Sequence, residues 1–163
     1  MNFNDRWREI GQFYEQAHEE WFGNNFFFDL HVLLGLLFGG GNVDLAERLL
    51  ANAYPPSSAE EGCNRKVSWN RRQYSDFGRG VWNGVKHYAS GDYASAVDVL
   101  APLRGKFSQM SASHAQTELI TLVMLRAGVL AGPDRRHLTN QLLEEHMKRK
   151  CGNVERRLSQ LML

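Results

Sequence analysis

Apolar residues return every three or four positions along most of this chain, and this spacing constrains the fold more than any other feature. Near the N-terminus the pattern runs through Trp7, Ile10, Tyr14, Ala17 and Trp21. Such spacing places apolar side chains on one face of an α-helix. No stretch alternates between apolar and polar residues for long enough to predict a strand. We therefore expect an all-α fold.

Glycine, proline and capping residues divide this helical pattern into segments. Gly41 and Gly91 are each followed by Asn or Asp, whose side chains cap helix N-termini. These breakers predict eight helices, near residues 3–21, 26–38, 43–54, 76–89, 92–104, 113–130, 134–150 and 153–162. Residues 55–75 are expected to form a mobile loop, because they are long, irregular and poor in apolar residues.

Length and composition limit the class of protein. The 163 residues, 43% hydrophobic and 23% charged, suit one globular domain over 1–163. A net charge of +1 argues against a nucleic-acid partner held by bulk charge. The most apolar stretch, 26–38, has 13 residues, whereas crossing a bilayer takes roughly 20. We expect neither a nucleic-acid partner nor a membrane-embedded segment.

The cysteines and the N-terminus bear on the compartment. Cys63 and Cys151 lie 88 positions apart, without zinc-site spacing. Residues 1–9 have no apolar core of a secretory signal. We expect a cytoplasmic protein that needs no metal and no other cofactor.

Charge is unevenly distributed between the two ends of the chain. Residues 1–30 carry six acids and two bases, whereas residues 134–157 carry seven bases and four acids. One interpretation is that opposite charges at the two ends orient an elongated molecule as it approaches a partner. The other is that these charges lie on helix faces exposed to solvent. Both interpretations remain open at this point.

An internal repeat relates residues 41–50 to residues 91–100. Each segment has a Gly, a capping Asn or Asp, an Ala four positions after the cap and a Leu eight positions after it. Ala46 and Ala96 leave room where paired helices approach, as does Gly84 on the preceding helix. Gly80 and Gly84 share one face of that helix and permit close packing. This pattern is typical of stacked helical hairpins, here about 26–54, 76–104 and 113–150, with a C-terminal helix at 153–162.

The order of these segments resembles the C-terminal part of the tetratricopeptide repeat protein 38 family. The resemblance is carried by four short stretches, namely Phe28-Asp29-Leu30-His31, Gly91-Asp92-Tyr93, residues 99–104 and Ser113-His114-Ala115-Gln116. The family pattern has Asn where this chain has Phe28, and Arg-Asp where it has Thr117-Glu118. The resemblance covers roughly residues 5–160.

The resemblance implies a superhelix of antiparallel tetratricopeptide-like hairpins and no enzymatic activity. Family members have further helical repeats upstream, so it also implies that this chain is a fragment or a shortened product. We therefore expect a non-catalytic scaffold that binds a protein or peptide on a shallow concave surface. Catalytic residues are not expected.

Three cations mark a candidate binding face. Arg79, Lys86 and His87 precede the second turn on the first helix of its pair, the helix that lines the concave face in such stacks. They are suited to hold a carboxylate or a backbone carbonyl of a partner. The simpler interpretation is solvated surface charge.

A polar pocket is the alternative from another functional class. Asp29 and His31 diverge by about 200° on a helix, so each needs partners from another helix. Ser113 and Gln116 have the spacing of a capping box. The alternative is that the two groups converge in a pocket for a small molecule or a hydrolase-like reaction, formed by Asp29, His31, Ser113, His114 and Glu118.

Self-association is a third possibility, because a short repeat array exposes an apolar end. The candidates for such an exposed face lie near the N-terminus and are Trp7, Phe13, Trp21 and Phe22.

Overall fold

The computed structural model describes residues 3–16, 22–23, 25–55, 69–110 and 113–161. In this part of the chain every regular element is helical, which confirms the all-α fold. The α-helices are α1 (Phe3–Tyr14), α2 (Phe26–Gly35), α3 (Val43–Ala53), α4 (Trp69–Gln73), α5 (Arg79–Ala89), α6 (Tyr93–Leu100), α7 (His114–Leu130) and α8 (Arg136–Leu161). Two π-helical turns, Leu36–Gly40 and Tyr74–Gly78, and two 3₁₀ segments, Ala101–Gln109 and Pro133–Arg135, extend or join them.

The helix before the second turn begins earlier than the sequence indicates. Helical backbone runs without interruption from Trp69 through the π turn to Ala89, so the predicted loop 55–75 ends sooner. Residues 56–68 of that loop lie outside the described residues. Tyr74, Phe77 and Val81 are buried at helical spacing, and their burial extends the helix toward its N-terminus.

Two other predicted boundaries also differ. α8 continues through Gly152 to Leu161, so the expected separate helix at 153–162 is the end of α8. A single glycine costs a helix only about 1 kcal/mol relative to alanine. α1 ends at Tyr14, and residues 17–21 of the expected helix 3–21 lie outside the described residues.

The two repeat segments fold into equivalent junctions. Gly41 and Gly91 have φ angles of 64° and 82°, a left-handed conformation that glycine adopts without steric cost. The side chain of Asn42 accepts a hydrogen bond from Leu45 N at 3.2 Å. Asp92 accepts from Ser95 N, also at 3.2 Å. Each junction therefore caps its following helix in the same way.

Glycines allow the second pair of helices to approach closely. A Cβ added to Gly80 would lie 2.5 Å from Leu103 Cδ1, and one added to Gly84 would overlap the side chain of Leu100. Residues early in α5 therefore face residues late in the following segment, and α5 and α6 run antiparallel. Ala96, on the same side of α6 as Leu100, is fully buried.

The helices pack mainly on their neighbours in the chain. α1 packs on α2 and the π turn after it, α5 on α6, α6 on α7 and α7 on α8. A continuous core runs through these contacts; its largest fully buried side chains are Trp82, Phe26, Phe107, Leu30, Leu33, Leu36, Leu50, Leu100, Met110, Ile120, Met124 and Leu142. When the described helices are arranged by which helix packs on which, α1 and α8 therefore come first and last.

Candidate functional sites

Asp29 lies in the first turn of α2 and is fully buried. Its Oδ2 accepts hydrogen bonds from Gly23 N at 3.0 Å and from the Tyr54 hydroxyl at 2.5 Å. Its Oδ1 has no hydrogen-bond partner among the described residues. Burial raises the pKa of this carboxyl, and the hydrogen bonds from Tyr54 and Gly23 offset only part of the rise. The start of α2 is capped separately by Asn25, which accepts from Phe27 N at 2.9 Å.

Aromatic rings enclose the Tyr54 side of this carboxyl. The rings of Tyr54 and Tyr74 are stacked with centroids 4.3 Å apart, and Phe26 packs against both at 6.2 and 5.5 Å. Burial, followed by the hydrogen bond to Asp29, raises the pKa of Tyr54 far above its usual value. The tyrosine hydroxyl is therefore held as a donor to Asp29. Sequence reasoning missed both tyrosines, since neither stands in a motif.

His31 makes its contacts within its own helix. Its Nδ1 lies 2.8 Å from the carbonyl oxygen of Phe27, so Nδ1 carries the hydrogen of that bond. The Phe27 ring packs edge-on against the imidazole, with centroids 4.4 Å apart. Asp29 and His31 therefore contact different groups, as their spacing on the helix predicts.

The residues from the start of α7 also have separate surroundings. Ser113 and His114 are exposed. Glu118 faces α8, where its Oε1 lies 2.8 Å from Lys150 Nζ and 3.3 Å from His146 Nε2. These distances are those of ion pairs, and their angles fall outside hydrogen-bond geometry. The side chain of Gln116, and with it the predicted capping box, lies outside the described residues.

The five residues of the predicted pocket therefore divide into separate sets of contacts. Asp29 contacts Gly23 and Tyr54, His31 contacts Phe27, and Glu118 contacts α8. Within the described part of the chain, no hydrogen bond, ion pair or ring contact joins the α2 residues to those of α7.

Two of the three cations predicted to meet a partner are engaged within the chain. Lys86 forms an ion pair with Glu47 of α3, and its Nζ also lies 5.7 Å from the ring centre of Trp82. Trp82 Nε1 donates to the same glutamate at 3.0 Å. His87 Nδ1 lies 3.1 Å from Asp92, the cap of α6. Lys86 therefore contacts α3, and His87 contacts the residue that caps α6.

Glu47 is the acceptor at the centre of this contact. Burial alone would raise its pKa, but the hydrogen bonds from Lys86 and Trp82 outweigh burial and hold the pKa below its usual value. The carboxylate therefore stays charged and links α3 to α5.

Arg79 is exposed, and its guanidinium lies 6.0 Å from the ring centre of Tyr74. This distance is that of a cation–π contact. The guanidinium also offsets part of the rise that burial causes in the pKa of Tyr74, so Arg79 too contacts a side chain of its own chain.

The apolar residues expected near the N-terminus differ in exposure. Phe13 is 63% exposed and Trp7 36%. Trp7 packs against Phe38 with ring centroids 5.6 Å apart. The expectation was wrong for Phe22, which is buried in the core. Trp21 lies outside the described residues.

An open groove between α7 and α8 escaped sequence reasoning. It is lined by Gly128, Val129, Gly132, Pro133, Arg136, Thr139, Asn140 and Leu143. Val129 is 60% exposed, and further along the same two helices Leu122 and Met147 are 50% and 58% exposed. Helical spacing in the sequence shows that α7 and α8 have apolar sides. It does not show which of these sides is covered by a neighbouring helix.

The described residues contain no cluster of three His, Cys, Asp or Glu side chains that could hold a metal ion. No described helix has the length and apolar character needed to cross a membrane. No protein-family model matches the chain, and no solved structure matches it at a significant level.

Proposed function

We propose that this chain is a non-catalytic, tetratricopeptide-like module that binds a protein or peptide in the cytoplasm. The observation that carries the proposal is the equivalence of the two junctions at Gly41-Asn42 and Gly91-Asp92, fifty positions apart. Both have a left-handed glycine and a side-chain cap on the third following N–H. Regularly repeated hairpins build extended surfaces that suit partner binding.

The binding face lies on the first helix of each hairpin, namely α2 and α5. Exposed side chains on these helices include Phe28, which is 49% exposed, and Arg79. An aromatic anchor and a guanidinium are the residue types that contribute most to protein interfaces. An extended acidic peptide or a helix with one acidic edge suits this combination.

The polar-pocket alternative lacks such support. A pocket for a small molecule or a hydrolase reaction needs its polar groups within reach of one ligand. Asp29 and Glu118 instead each contact different partners within the chain. We therefore keep the interaction module as the single proposed function.

The proposal is tested with affinity capture followed by reconstitution from purified proteins. The intact chain and the R79E variant serve as baits, and each captured protein is then titrated against the chain by calorimetry. We expect R79E to weaken a genuine partner about tenfold, equivalent to about 1.4 kcal/mol. R48E is the matched control, because Arg48 is exposed on α3, the second helix of its hairpin.

Equal effects of R79E and R48E would contradict the proposed face. Failure of every captured protein to bind the purified chain would contradict the function itself.

A further inference from the structure

The apolar side of α8 changes along the length of the helix. In the first half, Leu142 is buried in the core and Leu138, one turn earlier, packs against that core. Met147 lies about 140° around the helix from Leu142 and is 58% exposed. The later apolar positions fall within about 40° of Met147, and they are Cys151, Val154, Leu158 and Leu161. The second half of α8 therefore continues the exposed side of the first half and not the buried side.

α8 also extends beyond the helix on which it packs. The two helices run antiparallel, since Gly128 late in α7 approaches Thr139, and Glu118 early in α7 pairs with Lys150. α7 begins one turn before Glu118, whereas α8 continues for about 16 Å after Lys150. Within the described residues, α8 packs chiefly on α7 and on the 3₁₀ segment before it. The second half of α8 therefore runs past the helix that supports the first half.

The apolar residues from Met147 onward have the spacing of a coiled-coil seam. They follow one another at intervals of four, three, four and three positions, and we call them the Met147 seam, namely Met147, Cys151, Val154, Leu158 and Leu161. This spacing repeats every seven residues and forms the narrow stripe along which one α-helix packs on another. The seam spans about 80° of the helix, whereas a helix on a broad apolar surface presents about 100° or more. The spacing therefore indicates a second helix as the occupant and not a lipid surface.

Most of the positions beside the seam carry positive charge. In a heptad these positions decide which helix pairs with which, and here they are Lys148, Lys150, Glu155 and Arg157. Lys148 is exposed, and the side chain of Lys150 is 58% exposed although it pairs with Glu118. A second copy of this chain would bring the same excess of positive charge to the seam. A helix with Asp or Glu at its flanking positions complements this excess.

We propose that the second half of α8 pairs along the Met147 seam with an α-helix of another protein, one whose own apolar heptad seam is flanked by Asp and Glu. This inference goes beyond the proposed function, because it concerns α8 and not the face on α2 and α5. Because short isolated helices are only marginally stable in water, the partner segment is expected to become helical on binding.

The first test uses two synthetic peptides of about four heptads with Ile and Leu at the seam positions. One carries Glu at all flanking positions and the other carries Lys, so like charges disfavour pairing of either peptide with itself. Each labelled peptide is titrated with the intact chain under reducing conditions, and fluorescence anisotropy reports binding. We expect the Glu peptide to bind about tenfold more tightly than the Lys peptide and to weaken with added salt. No binding of the Glu peptide, or equal binding of both, would overturn the proposal.

The second test locates the contact on α8. M147E places a carboxylate in the seam, and we expect it to weaken binding of the Glu peptide about tenfold. K148E and R149E change the net charge equally, but Lys148 stands beside the seam and Arg149 on the opposite side of the helix. K148E should therefore weaken binding more than R149E does. Equal effects of these two variants, or unchanged binding by M147E, would contradict the proposal.

Other occupants of the seam would give different results. Assembly of the chain with itself in light scattering, abolished by M147E, would place a second copy there. Binding to vesicles of phosphatidylserine and phosphatidylcholine, abolished by M147E and without binding of the Glu peptide, would place a membrane surface there. Either result would overturn the proposal.

Two controls keep this inference separate from the proposed function. Met147, Lys148 and Arg149 are exposed, so circular dichroism should show unchanged helicity in each variant. F28E changes an exposed aromatic on α2 and should bind the Glu peptide like the unmodified chain. Capture of a partner through the α2 and α5 face, without binding of the Glu peptide, would overturn this inference alone.

Discussion

Asp29 connects three parts of the chain through a single carboxyl oxygen. It lies at the start of α2, its Oδ2 accepts from the backbone of Gly23, and it accepts from Tyr54 directly after α3. A buried carboxylate with two donors and one oxygen without a described partner is only partly compensated for its lost hydration. Its contribution to stability therefore depends on its protonation state.

We expect D29N to change how stability depends on pH. Because burial raises the folded-state pKa of Asp29, its stabilising contribution is complete below the unfolded-state pKa and is lost as pH rises through the folded-state pKa. The asparagine oxygen can accept both hydrogen bonds, with its amide at the position of Oδ1. The stability of D29N relative to the unmodified chain should therefore increase as the pH rises through the folded-state pKa of Asp29.

The measurement is urea unfolding of both proteins at a series of acidic to neutral pH values. Y54F supplies an internal comparison, because it removes a donor to the carboxylate while leaving the carboxyl in place. This variant should lose more stability at neutral pH than at acidic pH. A D29N curve parallel to that of the unmodified chain would show that Asp29 does not titrate differently on folding.

At this scale the sequence predicts residue types better than it predicts their partners. The divergence of Asp29 and His31 follows from helix geometry alone. The pairing of Lys86 with Glu47 does not, since the two residues are 39 positions apart and belong to different helices, α5 and α3. Lysine side chains are usually exposed to solvent. Here Glu47, which is distant in the sequence, holds Lys86 in a contact between two helices.

Helices were predictable where the local signals agree. The caps at Asn42 and Asp92 follow from a glycine and a short polar side chain next to each other, and both are confirmed. The start of α4 at Trp69 was not predictable from the sequence. The buried apolar residues that extend this helix are Tyr74, Phe77 and Val81, and they stand among polar residues. Gly152 resembles a helix end, yet it has the backbone of an interior helical residue. Glycine permits a stop without requiring one.

The attachment of α1 depends on close backbone contact between two glycines. A Cβ added at Gly39 would overlap the carbonyl oxygen of Trp7 and would lie 2.7 Å from Gly11 Cα. These neighbours are backbone atoms, which cannot rotate away as a side chain can. We expect G39A to displace α1 and to cost about 1–3 kcal/mol.

Tryptophan fluorescence and urea unfolding test this expectation, because displacement of α1 separates Trp7 from Phe38. G105A is the matched control. A Cβ at Gly105 would meet nothing within 4 Å, so this substitution should be neutral or stabilise by up to about 1 kcal/mol through the unfolded state. Equal effects of the two substitutions would mean that α1 does not depend on this contact.

In the described part of the chain the helices pack mainly on their neighbours in sequence, and long-range ion pairs add further connections. Arg104 pairs with Glu145 of α8 at 2.8 Å, and Arg135 pairs with Asp98 of α6 at 2.7 Å. Helical periodicity predicts that these helices exist and which sides are apolar. It does not predict which helix lies next to which, because any apolar stripe can cover another. The repeat at 41–50 and 91–100 is the one sequence signal that bears on order.

Such a series should lose stability locally when an end is weakened and throughout when the middle is weakened. Leu142 of α8 and Leu100 of α6 are both fully buried, so truncating either to alanine removes the same atoms at a cost of about 2–5 kcal/mol. In an array of nearest-neighbour contacts, L142A should raise amide hydrogen exchange mainly in α7 and α8. L100A should raise it from α5 to α8, because α6 packs on both α5 and α7. Hydrogen exchange read by mass spectrometry distinguishes these patterns. If both variants raise exchange equally in every helix, the molecule unfolds as one cooperative unit, and no helix loses stability independently of the others.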